Sequence, residues 1–119
     1  MNFELPEELK MLREMAYKFA VAEFTPHIRE CDEHETYTPE IRRKAAANGL
    51  VGAWIPEQYG GPGAGFLGNA IITEELSRVD MGIGLNVIAA PFGCEAIFQN
   101  GTEEQKQKYL PPVCRGEWV

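Results

Sequence analysis

The stretch from Met81 to Gln99 constrains this chain more than any other. No charged residue falls between Met81 and Cys94, and apolar side chains recur on every side of a helix drawn through the segment. A helix that is apolar all round is one that neighbours surround. Gly82, Gly84, Ala89, Ala90 and Gly93 would let other backbones come close, and Pro91 predicts a kink or a break between two helices. The run is too short, and too interrupted by Gly82, Gly84 and Pro91, to span a bilayer. The chain must therefore supply other helices to wrap it.

Those helices are legible on both sides. Pro6 suits a first helical position and Glu7 and Glu8 favour the positive end of the helix dipole, after which Leu5, Leu9, Leu12, Ala16, Phe19 and Ala20 draw one apolar stripe. Thr25-Pro26 breaks this helix, and His27 to Glu35 continues as a polar, exposed one. Thr38, as cap, and Pro39 open another helix, with Ile41, Ala45 and Ala46 inward and Asn48-Gly49 as its stop. Leu50 to Ile55 is an apolar connection, because no partner strand is visible elsewhere. Gly60 to Gly65 is a loop, and a helix from about Phe66 to Val79 follows, with Leu67, Ala70, Ile71 and Glu74 on one face. Glu74 and Glu75 can each pair with Arg78. Thr102 to Gln105 is a capping box for a last helix that ends at Leu110, before Pro111-Pro112. The fold class expected is all-α, a bundle of five or six helices in one domain over residues 1–119. The final Trp118-Val119 reads as the start of a strand in a longer protein.

Composition narrows the function classes. A formal net charge of −7 with no basic stripe excludes a phosphate-neutralising nucleic-acid binder. Arg42-Arg43-Lys44, the lone basic triplet, reads as a solvated helix face. Three widely spaced cysteines (Cys31, Cys94, Cys114) argue against a disulfide scaffold and for a reducing compartment, and the acidic N-terminus resembles neither a secretory signal nor a transit peptide. A soluble, cytoplasmic protein is the expectation.

Few side chains offer chemistry. His27, Cys31 and His34 share a helix face at a spacing zinc can use, yet a fourth ligand is missing, so a polar surface helix is the simpler reading. The glycine cluster lacks the Gly-Lys-Ser/Thr of a phosphate loop and the preceding strand of a dinucleotide fold, and reads as a structural turn. Glu95, isolated in an apolar helix, is the one carboxylate placed to have a raised pKa as an acid or base, though such residues more often reach the surface at a helix edge. No nucleophile set assembles.

Three stretches, in order, carry a resemblance. They are Gly49-Leu50-Val51-Gly52 with Ile55-Pro56-Glu57-Gln58-Tyr59-Gly60-Gly61-Pro62-Gly63, then Glu74-Glu75-Leu76-Ser77-Arg78-Val79-Asp80, and finally Asn100-Gly101-Thr102-Glu103-Glu104-Gln105-Lys106-Gln107-Lys108-Tyr109-Leu110-Pro111 followed by Gly116-Glu117-Trp118. Together they resemble the N-terminal helical domain of the acyl-CoA dehydrogenase family over essentially the whole chain. The resemblance implies a larger protein with a middle β domain and a C-terminal helical domain, FAD as cofactor, and oxidation of an acyl-CoA to the trans-2-enoyl-CoA. In that chemistry a glutamate base takes the α-proton while the β-hydrogen leaves as hydride to the flavin. It also implies an electron-transfer flavoprotein as partner and a homo-oligomer. No residue here matches the catalytic glutamate, so the chain alone is expected to be inactive and without bound flavin.

By position relative to the Gly101–Leu110 signature, the acyl-pocket wall falls near Ile88, Ala89 and Phe92. An apolar slot suits a thioester tail, and the bulk of Phe92 points to a short or medium chain. Two alternatives remain open: the same domain of an acyl-CoA oxidase-like relative, and a stand-alone helical interaction module.

Overall fold

Proline disfavours helical geometry in the residue before it, and the first helix begins directly after one. The computed structural model describes residues 1–119. In it α1 runs Glu7–Phe24, with Pro6 as the flanking residue outside the helix rather than the first residue within it. Pro6 still serves the helix, because its carbonyl accepts from the Leu9 and Lys10 amides at 3.0 and 3.1 Å. Ala16, Ala20 and Phe24 are buried, and Leu5, Leu9, Leu12 and Phe19 are half-buried along the same stripe.

After the Thr25-Pro26 break, α2 (Ile28–His34) lies on the surface with no buried residue. It stops at Glu35, the one non-glycine residue with a left-handed φ, 51°. α3 (Pro39–Ala47) has its proline in the first turn as expected, but Thr38 does not cap it. The Thr38 hydroxyl sits 4.0 Å from the Cys31 thiol instead. The basic triplet also departs from a solvated face: Arg42 is only 8 % exposed. It donates from Nε to the Gly116 carbonyl at 3.3 Å and lies over the Tyr37 ring. Arg43 and Lys44 do face water, beside Glu40 and Glu23. One helix turn thus hides one cation, whose long apolar stem tolerates burial, and exposes its neighbours.

Leu50, Val51, Ala53 and Ile55 are buried in a string of turns, not in a strand, and lead into a single 3-10 turn over Glu57–Tyr59. The glycine loop folds back onto that string. The Gly63 and Ala64 amides donate to the Ile55 and Ala53 carbonyls at 3.0 and 2.8 Å. Gly61 lies so close to Ile55 that a Cβ there would stand 2.0 Å from its carbonyl oxygen. Glycine is required at this point by space.

α4 (Gly65–Val79) meets α5 (Met81–Ile88) at Asp80, whose carboxylate accepts from the Ile83 amide at 2.7 Å and caps α5. Gly84 lets α5 settle on the last turn of α4, since a Cβ would come within 3.2 Å of the Leu76 carbonyl carbon. Pro91 separates α5 from α6 (Cys94–Asn100), and α7 (Glu103–Cys114) opens with the expected capping box. The elements therefore number seven helices, because both the α2 segment and the Pro91 break produce separate ones. There is no strand.

Two further expectations, one about a helix end and one about a face, are corrected. α7 does not end at Leu110 but continues through Pro111 and Pro112. The prolines withhold amides from the carbonyls of Gln107 and Lys108, both exposed residues that water can reach, while burial of Leu110, Val113 and Cys114 holds the turn together. On α4 the inward face is Gly68, Ile71, Ile72, Glu75 and Leu76, so Leu67, Ala70 and Glu74 point out.

The principal Cα extents are 42 × 40 × 20 Å, and helices about 10 Å across make this a slab two helices deep. α1 packs along α4, α4 along α5, and α6 along α7. In a two-layer slab each helix keeps one face towards solvent. α5 is accordingly not wrapped all round: Ile83, Gly84, Val87 and Ile88 are buried, while Met81 is 70 % and Leu85 48 % exposed.

The α1–α4 seam holds a charge. Glu75 is 1 % exposed and accepts from Arg13 Nε at 2.9 Å, with Arg78 Nη1 3.2 Å from its other oxygen but not aligned to donate to it. Arg78 in turn lies over the Tyr17 ring, 3.9 Å from its centroid. Both arginines remain about half exposed. Removing one cation strands a buried carboxylate, whereas removing the carboxylate returns two cations to water. Arg13→Ala is therefore expected to cost about 1–3 kcal/mol in urea unfolding and Glu75→Leu less. A Glu75→Leu loss equal to or larger than that of Arg13→Ala would contradict the account.

Candidate aromatic cleft at the helix break

Pro91 cannot donate the amide that would carry α5 onward, so the chain turns over Ala89–Gly93. The Phe92 amide donates to the Ala89 carbonyl and the Cys94 amide to the Pro91 carbonyl, each at 3.0 Å. The turn pushes Phe92 outward, where it is 66 % exposed. Around it the fold gathers Trp54 from the buried turns, Phe66 and Asn69 from the first turns of α4, Pro91, and Glu95 from the first turn of α6. These six residues line a cleft of about 270 Å³.

The aromatic floor is braced from behind. Trp54 stacks on Phe66 with centroids 5.6 Å apart and planes 9° from parallel, and Phe98 meets Trp54 edge-on at 5.6 Å. Phe98 also meets Tyr59 edge-on, at 6.0 Å. The Tyr59 hydroxyl donates to Glu103 at 2.8 Å. That hydrogen bond to a carboxylate, more than burial, lifts the phenol above its ordinary range. Lys106 lies over the outer face of Phe98. Offset and edge-on ring pairs of this kind add about 0.5–1.5 kcal/mol each beyond burial, which keeps the floor rigid before anything enters.

Of the wall residues read from sequence, Phe92 lines this cleft. Ile88 is 8 % exposed and belongs to the core beneath, and Ala89 is half-buried at the turn. Trp54, Phe66 and Asn69 were not legible as partners. Trp54 sits in an apolar run and Phe66 follows a glycine loop, and only the fold-back of that loop brings them beside Phe92. Glu95 is exposed, not buried, and accepts from Gln99 Nε2 at 2.9 Å. His27, Cys31 and His34 do not converge, and no group of three or more His, Cys, Asp or Glu side chains is placed to hold a metal ion.

No nucleophile backs the cleft. Cys94, next to it, is buried, and burial raises its pKa. Cys114 is pushed up to about 11, first by burial and then by the proximity of Cys94. Thiols held protonated in this way are inert. They also tie stability to pH. The unfolded chain ionises Cys114 from its ordinary value of 9.0, while the fold retains the proton to about 11. The thiol's contribution is complete below pH 9 and is lost as pH rises through this window. Thermal melts of the wild type should fall more steeply from pH 9 to 11 than those of Cys114→Ala, and parallel curves would refute the assignment.

The family model described as "Acyl-CoA dehydrogenase, N-terminal domain" matches residues 6–117. The short-chain specific acyl-CoA dehydrogenase of Clostridium acetobutylicum is 38% identical, over 100% of this chain and 32% of that protein. A solved chain reported with the electron transferring flavoprotein of Acidaminococcus fermentans superposes with a TM-score of 0.88 at 38% identity, covering 98% of this chain and 31% of that one. An acyl-CoA dehydrogenase from Bacillus anthracis, solved in complex with FAD, gives a TM-score of 0.81 at 33% identity over 96% of this chain and 20% of that one. The chain spans about a third of the length of the curated relatives it matches.

Proposed function

Because this chain belongs to the acyl-CoA dehydrogenase family, as its N-terminal domain, we propose that it forms one wall of the acyl-binding slot of a flavin-dependent acyl-CoA dehydrogenase. The whole protein oxidises an acyl-CoA to the trans-2-enoyl-CoA. The observation that carries this reading is the preformed aromatic cleft at the Pro91 break, where Phe92 stands exposed over a braced floor of Trp54 and Phe66. Apolar clefts with few polar groups are how proteins hold acyl tails. Phe92 contacts the tail directly, Ala89 borders it at the turn, and Ile88 supports the wall from within. The bulk of Phe92 limits the slot to short or medium chains. Excluding water from the tail is this domain's share of the work.

FAD is the cofactor of the whole protein, and it supplies the hydride acceptor when bound. The cleft between α2 and α5 does not fit it. The most enclosed polar cleft, about 240 Å³ between α2 and α5, is lined by Asp32, Glu35 and Asp80 and contains no lysine or arginine. A pyrophosphate would meet like charge there. By family resemblance, the catalytic base and the flavin cradle belong to other parts of the full-length protein. An electron-transfer flavoprotein is the proposed acceptor, in line with the neighbour named above. A cytoplasmic location rests on three unpaired cysteines, and no helix is long and apolar enough to cross a membrane.

A homo-oligomer, or docking against further domains, is supported by surface area. The chain exposes 7302 Å², against roughly 6,450 Å² for a compact monomer of its mass. Met81, Leu85, Phe66, Leu67 and Phe92 contribute to the excess.

In the full-length protein, Phe92→Ala is expected to shift the kcat/KM optimum towards longer acyl-CoA substrates, read by reduction of an artificial electron acceptor; an unchanged chain-length profile would argue against the wall assignment. The 119-residue chain alone should show no flavin absorbance and should self-associate at high concentration. A flavin-loaded isolated domain, or a strictly monomeric sedimentation profile, would count against the proposal.

A further inference from the structure

Taking the acyl-binding reading of the cleft as given, we infer that it selects acyl groups whose far end carries a hydrogen-bond donor, a protonated amine above all, and that Glu95 is the residue that distinguishes them. A slot for a plain alkyl tail gains nothing from polar lining, because each polar group stripped of water without a partner costs free energy. Two of the six lining residues here are polar, and both have unused capacity. Glu95 spends one oxygen on Gln99 Nε2 at 2.9 Å. Its second oxygen has no partner in the chain, and no lysine or arginine pairs with it. Asn69 gives its backbone carbonyl to the Thr73 hydroxyl at 2.9 Å, while its side-chain amide bonds to nothing in the chain.

The apolar neighbours favour the same ligand. Phe66 and Phe92 are 65 % and 66 % exposed, so ring faces remain open beside a carboxylate. An ammonium group is attracted both by aromatic faces and by a carboxylate. An alkyl tail would cover Glu95 and leave it uncompensated. A hydroxyl would satisfy one acceptor and leave the charge. An amine satisfies both, with Asn69 able to accept a second of its protons. Charge complementarity thus commits the cleft to a cationic tail, and Glu95 acts as a specificity-determining residue rather than a catalytic one.

The test uses the full-length, flavin-loaded protein and three acyl-CoA thioesters of equal length, ending in methyl, hydroxyl and amine. Wild type should favour the amine-tailed thioester over the methyl-tailed one by kcat/KM. Glu95→Leu should lower that ratio by about tenfold or more, the size expected of one charge-assisted contact. Glu95→Gln should lose the amine preference but keep that for hydroxyl. Glu104→Gln, which removes a carboxylate on the exposed first turn of α7, should leave the ratio as in wild type and so controls for net charge. A wild type that prefers the methyl tail, a ratio unmoved in Glu95→Leu, or an equal shift in Glu104→Gln would each overturn the inference while methyl-tailed turnover leaves the acyl-binding reading standing. Failure of every thioester to react would remove both.

Discussion

Gly84 rests on the final turn of α4 so closely that a Cβ there would stand 3.2 Å from the Leu76 carbonyl carbon, tighter than side chains ordinarily pack. That seat fixes the direction of α5, and the capped Asp80 corner before it leaves no slack. From there the chain has only the length of α5 before Pro91 turns it. The position of Phe92, and hence of the cleft, follows from one backbone-to-backbone contact and one missing amide. The cleft is set by packing already complete in the folded chain, not by a segment that must order itself on binding.

What could be read from the residues was what local physics governs. The α1 stripe, the Asn48-Gly49 stop, the Thr102–Gln105 capping box and the Pro91 break all depend on near neighbours in sequence, and each is where it was expected. What escaped depends on distant ones. Glu74 reads from the sequence as the acid on the apolar face of α4, yet it is Glu75 that is buried, beside Arg13 of another helix. Arg42 looked solvated until the Gly116 carbonyl came to meet it. Trp54 lies in an apolar run with no period and Phe66 at the very start of α4, just after the glycine loop, so nothing in their surroundings announced that they would stack. The prolines of α7 are the instructive case: a rule about helix ends was outweighed by three buried side chains on either side of them, Leu110, Val113 and Cys114.

The molecule uses charge in two opposed ways. At the α1–α4 seam a carboxylate is withdrawn from water and held by two cations that are not, which fixes register between the two helices that share the most surface. At the cleft a carboxylate is left in water with half its capacity unspent. The first is structural because its partners are already present. The second is available to something that arrives.

The 20 Å thickness of the slab has a thermodynamic consequence. With only two helical layers, no buried side chain is more than one helix away from solvent, and opening any one helix uncovers the part of the core it covers. Any body that binds the folded slab on its exposed apolar residues, and not the unfolded chain, raises its apparent stability in proportion to the logarithm of its own concentration once that exceeds the dissociation constant. Melting temperature and amide exchange in this domain therefore act as gauges of what sits against it.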